Sequence, residues 1–592
     1  MEGRAALTKE TRRVRAWIAD DSRTTEIGGL LVAAGAFVAF YWYAGFPIYN
    51  NATWLDPWYY TGLFINFHFL HSTFSTAYYV TRLPWLIPGR AIFAIFSPTP
   101  AYLVLHLVTG VAAVAAVYLL VRRYLGRLPA FATAAAVASS PLAYHALYRD
   151  YVNAGELTYF YIGMFFGLGA RAGRRPRVAM AGAGFFLSAA FATHFLSALF
   201  AAGLVVPYVL LFRPNPQALA RDAGAFITGC VALFFGCGVY SAAVGGPFNF
   251  LHAALQDAGQ LNLAGYKRHG VSWVLSDPWM LVPVLAVAVI VVLLVRGRSD
   301  TTSSARAFAW AIGAYTVVMS VAVVIWEVLL GGVLFEWLDY FELFFSIAVI
   351  PAIGVAAGLL IRGGEKWGLR GTGAVATAGL VAGFVVPTLA IFRFGWTWRV
   401  SRAAFVPSVI LICITVLAVA ASTFARRQKL FRSVAAVVCS TAFGLSVAYP
   451  VAASTDVGTN INLTRTINRI DTGTFHVGID WVRWMQSQGL QDPHMDTWYD
   501  QRTSPEFPGL ASFYFYGYIL LDANMPNVTP AFREMWKQRD PSEVVLLCKS
   551  PSCEGAQAAL VRAGYAVHLR ASHLFVSGPV HLWVRVLAVG AA

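Results

Sequence analysis

Two short stretches of this chain place acidic side chains among aromatic and basic ones at the ends of apolar runs. The first reads Trp54-Leu55-Asp56-Pro57-Trp58-Tyr59-Tyr60-Thr61-Gly62 and continues through His68 and His71 to Tyr78-Tyr79-Val80-Thr81-Arg82-Leu83-Pro84-Trp85. The second runs from His145 to Glu156 and holds Tyr148-Arg149-Asp150-Tyr151-Val152-Asn153. Two carboxylates, Asp56 and Asp150, held at one membrane face suit a hydroxyl that must lose a proton while it attacks a sugar C1. Basic groups would then hold the leaving phosphate through charge-assisted hydrogen bonds, and Arg82, Lys267 and Arg268 are the candidates. Tyr59, Tyr60, His145, Arg149 and His194 are candidate substrate contacts. So are Asp339, Tyr340 and Glu342 in the segment Glu336-Trp337-Leu338-Asp339-Tyr340-Phe341-Glu342, where acids meet sugar hydroxyls and a ring stacks on the sugar.

Each of these residues also has a plainer reading. Asp56 suits the N-cap of a short interfacial helix with Pro57 at its first position. The crowd of Tyr and Trp is equally the aromatic belt of a membrane protein. Arg149 and Asp150 can be a structural pair at a helix mouth, and the run Lys267 to His269 can snorkel to lipid headgroups. The acids around Asp339 also fit a solvated cuff at the membrane surface, and His194 fits a satisfied interfacial histidine.

The elements that must position these residues are membrane spans. Of 592 residues, 58% are hydrophobic and 12% charged, with a mean hydropathy of +0.60. A soluble domain has about 45–50% apolar residues and about 25% charged ones, so a water-soluble globule is excluded. The net charge of +15, from 44 Lys and Arg against 29 Asp and Glu, calls for no nucleic-acid partner, because most of the excess lies in short loops between apolar runs. Preference for Arg over Lys, with heavy use of Ala, Gly and Val, points to a GC-rich bacterial genome.

A span needs about 20 mainly apolar residues, and about thirteen stretches qualify. The first runs from Ile27 to Phe46 and the second from Ala101 to Val121. Further spans start near Leu128, Gly155 and Val178, the last breaking near His194 into a tight turn and a sixth span ending at Phe212. The rest start near Ala223, Trp279, Ala307, Phe341, Thr372, Ala403 and Ser433. Six alternate loops, from Arg122–Arg127 to Arg426–Arg432, hold nineteen basic residues and three acidic ones, Asp222, Asp300 and Glu365. Those loops are expected in the cytoplasm. The N-terminal segment 1–26 is then inside, and loops 47–100, 145–154, 245–278 and 331–340 face outward. No cleavable signal is expected, because the first apolar run follows 26 mostly polar residues and is long enough to remain as a span.

After residue 452 the composition becomes polar. Alternating runs at Val544–Leu547, Ala566–Leu569 and Leu582–Leu587 predict strands, with a helix over Gly555–Gly564. The expected architecture is a polytopic α-helical membrane protein with a catalytic membrane domain over 27–452 and a small C-terminal periplasmic α/β domain over 453–592. Cys230, Cys237, Cys413 and Cys439 fall in spans as packing residues. Cys548 and Cys553 lie in the outer domain, where an oxidising compartment permits a bridge between them.

The spans, an Asp in a long first outer loop, a second acid in the next, Arg82 ahead of a proline in Thr81-Arg82-Leu83-Pro84, and an outer C-terminal domain together resemble the C-type (GT-C) integral-membrane glycosyltransferases. The segments Asp56–Gly62, Thr81–Gly89 and Asp150–Ala154 are similar to bacterial family 39-like and aminoarabinose-transferase-like members. The architecture covers the whole chain and the motifs about its first 200 residues. The resemblance implies an inverting transfer from a polyprenyl-phosphate sugar on the outer side of the bacterial inner membrane. Its acceptor would be lipid-linked, glycan or protein. It carries Asp56 over as general base, Asp150 as the second acid shaping an acceptor or metal site, and Arg82 as a donor-phosphate ligand. Trp54 and Leu55 stand where a paired-acid motif would put an acid, a departure that bears on any divalent metal (Mg or Mn); no other cofactor is implied.

A lipid-linked donor fits better than a nucleotide sugar, since no Gly-rich phosphate loop is visible. A polyprenyl chain partitions into the bilayer at about 0.8 kcal/mol per methylene, which concentrates the donor beside the enzyme. The rivals are a transporter or lipid flippase for envelope glycan precursors, which would want ionisable groups near mid-membrane, and a non-catalytic assembly subunit. Glu327 and Arg393 are the main exceptions to apolar span interiors. Asp56→Asn is expected to abolish sugar transfer while the protein stays folded and inserted; undiminished turnover would remove Asp56 from the chemistry.

Overall fold

The computed structural model describes residues 23–44, 55–75, 77–139, 152–169, 175–252, 254–255, 278–296, 303–326, 342–367, 369, 371–394, 401–424, 428–453, 473–490, 495–499, 543–548, 554–562 and 564–591. Helices occupy the apolar stretches. They are α1 (Arg23–Ala44), α2 (Leu55–Ile65), α3 (Phe67–Thr73), α4 (Leu83–Ile95), α5 (Pro98–Leu125), α6 (Arg127–Ser139), α7 (Asn153–Gly169), α8 (Pro176–Thr193), α9 (Ser197–Gly203) and α10 (Val205–Phe212). There follow α11 (Pro216–Ala243), α12 (Val282–Arg296), α13 (Ser303–Val324), α14 (Glu342–Trp367), α15 (Thr372–Phe394), α16 (Ser401–Phe424) and α17 (Lys429–Ala453). A helix that is apolar all round belongs in a core or in lipid. Among the described residues five segments are long and apolar enough to cross a membrane: Pro98–Leu125, Pro216–Ala243, Ser303–Val324, Phe405–Thr423 and Lys429–Pro450. Shorter apolar helices accompany them, including Trp279–Val295, Ile347–Gly363 and Thr372–Pro387. The break expected at His194 is present, between α8 and α9.

The bundle is organised around α14, which packs against α6, α12, α13, α15 and α17. α11 lies at the rim. Ile227, Val231 and Phe235 on it are 59%, 59% and 61% exposed, an apolar face suited to acyl chains. It is held by backbone contact with α8. A Cβ on Gly229 would sit 1.9 Å from the Ala181 carbonyl oxygen, and one on Gly184 2.0 Å from that of Phe226. Close approach through small residues is how helices associate where lipid removes the hydrophobic drive between them.

C-terminal to the bundle lie a helix over 473–487, here α18, and α19 (Glu554–Arg562). The strands are β1 (Met495–Tyr499), β2 (Glu543–Cys548), β3 (Tyr565–Ser577) and β4 (Val580–Ala591), forming one sheet in the order β1-β2-β4-β3. β1 runs parallel to β2, and the other pairs are antiparallel. The three expected strands and the helix between two of them are present, each strand longer than its alternating run. β1 and α18 have no counterpart in the expectation. At the β3 edge the pairing steps from Leu569↔Leu587 to Ala571↔Val586, so Arg570 is the extra residue of a bulge. Its guanidinium makes an ion pair with the buried Glu543 of β2. Cys548, at the end of β2, is disulfide-bonded, while Cys230, Cys237, Cys413 and Cys439 are free thiols; Cys553 lies outside the described residues.

α18 sits against the start of α5 and the junction of α2 and α3. Gln486 Nε2 donates to Asn66 Oδ1 at 3.0 Å, Thr99 Oγ1 and His476 Nε2 are 3.2 Å apart, and the Phe475 and Tyr102 rings are centred 5.5 Å apart. On its other side Trp484 stacks on His573 of β3 at 5.6 Å.

Gly229→Val should force α11 off α8, at the 1–3 kcal/mol or more typical of overpacking, read as lower recovery of monodisperse protein on heating in detergent. Gly236→Ala, where a Cβ meets nothing within 4 Å, should leave that recovery unchanged.

Candidate functional site

Arg82 is the centre of the site. The 3-10 turn Tyr78–Thr81 leads into it, and α4 starts immediately after it with Pro84 in the first turn, where a missing N–H costs no hydrogen bond. The Arg82 carbonyl accepts from the N–H groups of Trp85 and Leu86, both at 3.0 Å. The backbone of Arg82 is thus fixed by the turn before it and the helix after it.

The side chain is 2% exposed. Arg82 Nη1 donates to the Tyr60 hydroxyl at 2.6 Å. The guanidinium carbon lies 4.2 Å from the Tyr78 ring centroid, and 5.7 and 5.8 Å from those of Tyr60 and Tyr79. Tyr79 in turn packs on Tyr59 at 4.8 Å and Tyr60 at 5.7 Å. Cation–π contacts with a desolvated guanidinium are worth about 2 kcal/mol each, which offsets part of the cost of removing the charge from water. Tyr59, Tyr60 and Trp85 are buried, so these rings are core residues and not the interfacial belt that was the plainer reading.

Two further ionisable groups lie within electrostatic reach of Arg82: Glu156, in the first turn of α7, and His194, at the turn after α8. Glu156 is fully buried, and its Oε1 has no hydrogen-bond partner among the described residues. Burial, with the Arg82 charge adding to it, holds the His194 imidazole well below its ordinary range, and its Nδ1 accepts from the Leu196 N–H at 3.3 Å. His194 is therefore a neutral imidazole whose proton is on Nε2. α7 is tied to α4 and to α5: Tyr159 donates to the Pro84 carbonyl at 2.6 Å and Thr158 to that of Thr109 at 3.1 Å.

Of the residues singled out by sequence, Tyr60 and Arg82 are in direct contact, Tyr59 reaches them through Tyr79, and His194 joins them electrostatically. Asp56 has its backbone in the first turn of α2, one turn before Tyr60, so residues 56 and 60 share a helical face. The helix starts at Leu55, so Asp56 is inside it and not its N-cap. Glu342 opens α14, described by its backbone alone. His145, Arg149, Asp150, Lys267, Arg268, Asp339 and Tyr340 lie outside the described residues. Glu156, Tyr78 and Tyr79 belong to the site without having been chosen. The signal available for the tyrosines was their spacing, three and four residues before an arginine in a turn-forming segment. No three His, Cys, Asp or Glu side chains among the described residues group to hold a metal ion.

Tyr60→Phe keeps the ring and removes the hydroxyl that accepts from Arg82. A hydrogen bond to a charged group contributes about 1.5–3 kcal/mol, so the variant should aggregate at a lower temperature in detergent. A heating curve superimposable on that of the parent would show that the bond contributes nothing.

No family model and no curated protein matches the chain. Among solved structures it is similar to ArnT from Cupriavidus metallidurans, in the apo state and bound to undecaprenyl phosphate. Each superposes with a TM-score of 0.46 at 16% sequence identity, covering 95% of this chain and 98% of that one. At that level the similarity is one of overall course alone, and it carries no residue roles.

Proposed function

We propose that the chain is a glycosyltransferase of the bacterial inner membrane that moves one sugar from a polyprenyl phosphate to a cell-envelope acceptor, with inversion at C1. In this reading the N-terminus is cytoplasmic, the chain crosses the membrane about thirteen times, and the domain over 453–592 is periplasmic. The observation that carries the reading is the buried charge of Arg82, fixed by tyrosines against the helix that bears Asp56. A cation held away from water acts more strongly on a nearby phosphate than a solvated one and needs no reorganisation when charge develops there.

Asp56 takes the proton of the acceptor hydroxyl as that oxygen bonds to the sugar C1. The bond from C1 to the phosphate oxygen breaks, and the electron pair leaves on the lipid phosphate. Asp150 shapes the acceptor side. Arg82, with Lys267 or Arg268, stabilises the leaving phosphate. His194, neutral and with a proton on Nε2, can orient a sugar hydroxyl without adding charge. Tyr59 and Tyr60 line the same wall, and His145, Arg149, Asp339, Tyr340 and Glu342 complete the contacts to donor and acceptor.

The test is mass spectrometry of lipid-linked sugars and envelope glycans from a deletion strain. Accumulation of a polyprenyl-phosphate sugar, with loss of one residue from an envelope glycan, is expected. Both should revert with the parent gene and persist with Asp56→Asn. Unchanged pools would overturn the reading, and full rescue by Asp56→Asn would favour a transporter or flippase.

A further inference from the structure

Two helical turns beyond Arg82, α4 carries a second arginine. At 1.5 Å per residue the two lie about 12 Å apart along the helix, and their guanidinium groups are held by different partners. The surroundings of Arg90 differ as well. It is half-buried, its guanidinium lies 4.9 Å from the Phe67 ring centroid, and its Nη1 donates to the Tyr240 hydroxyl of α11 at 3.0 Å. Among the described residues no other hydrogen bond is made by its side chain. The Nε and Nη2 edge, the fork that matches two phosphate oxygens, is left unused among the described residues.

The platform beneath Arg90 is built from α3 and the outer end of α11. Phe67 packs on Tyr240 at 5.7 Å and stacks on His71 at 4.9 Å, nearly parallel. His71 Nε2 is 3.0 Å from Ser241 Oγ, and the Ser241 hydroxyl gives its proton to the Pro247 carbonyl at 2.7 Å. His71 must then be the donor to Ser241, which fixes its tautomer and leaves Nδ1 as a buried acceptor without a partner among the described residues. Burial, and secondarily the neighbouring His68, bring the His71 pKa down to about 4, so at neutral pH it adds no positive charge. Arg90 supplies the charge of this cluster, and the chain His71–Ser241–Pro247 holds Phe67 and Tyr240 in place beside it.

The flanks of the cluster are apolar and exposed. On α11, Phe235 and Val239 are 61% and 47% exposed; at the end of α4, Ile95 and Phe96 are 75% and 41% exposed. Acyl chains would cover that surface, and Arg90 stands beside it. An arginine that merely snorkels extends freely to the headgroups; this one is bonded, laid on a ring and oriented.

We propose that Arg90, held by Tyr240 and Phe67, binds the phosphate headgroup of an outer-leaflet lipid between α4 and α11, at a position separate from the phosphate facing Arg82. The proposal rests on the membrane orientation given above and not on the sugar-transfer step. The test is native mass spectrometry of the full chain released from detergent with decaprenyl phosphate, phosphatidylglycerol or inorganic phosphate added separately. The parent should retain at least one of the two lipids. Arg90→Gln should weaken that retention tenfold or more and Arg90→Lys less, whether or not the chain proves to be a transferase. Loss of decaprenyl phosphate alone on Arg90→Gln would identify an isoprenoid lipid at this site, and loss of both lipids a general phospholipid; either supports the site. Equal lipid retention by Arg90→Gln and the parent would overturn it, as would displacement of lipid by inorganic phosphate at millimolar concentration. Tyr240→Phe, which frees Arg90 and keeps the platform, should reproduce a partial loss if Arg90→Gln proves too unstable to purify.

Discussion

A guanidinium almost wholly removed from water, at the start of α4, is the constraint around which this end of the bundle is arranged. Left alone, such a charge would cost several kcal/mol. It is tolerated because α2, the 3-10 turn and α4 converge on it, with a phenol oxygen in its plane and aromatic faces above it. The short helices of the first outer segment therefore cannot be independent surface decorations. Their relative placement is what keeps the charge satisfied. The same placement brings α7 and the turn after α8 close enough for Glu156 and His194 to feel it. Structural stability and the electrostatics of the site are one arrangement.

The positions of the long helices could be read directly, because a run of Val, Leu, Ala and Phe without charge has few other fates; α2, α3 and α4 instead lie in the segment 47–100 that was expected as a loop. The strands β2, β3 and β4 were legible for a similar local reason, their alternation of apolar and polar residues. Arg82 stood out as a charge beside a helix start. Its burial did not, since Tyr59, Tyr60, Tyr78 and Tyr79 look the same in a sequence whether they face lipid headgroups or one another. Glu156 could be read from the sequence as a buried charge, as it is, but not as a neighbour of Arg82. Arg90 and Tyr240 are separated by 150 positions, and nothing local to either announces the pair. Pairings of that range are set by how helices pack, which periodicity does not encode.

α18 shows a second limit. Its residues are mixed in character, and the features that matter, Gln486 reaching Asn66 and His476 reaching Thr99, lie on the face that meets another part of the chain. Through them the C-terminal segment is tied to α3, to the residue linking it to α2, and to α5, the same elements that flank the Arg82 cluster.

The bulge at Arg570 has a consequence for life at high density in a bilayer. β3 is thirteen residues long and lies at an open margin of its sheet, the kind of template that recruits a neighbouring chain into continuous pairing. One supernumerary residue in the middle interrupts the hydrogen-bonding rhythm, and the charge it carries is anchored inward on Glu543. Molecules crowded side by side in two dimensions would find no uninterrupted ribbon to extend, and the sheet stays solitary without needing a lid over its rim.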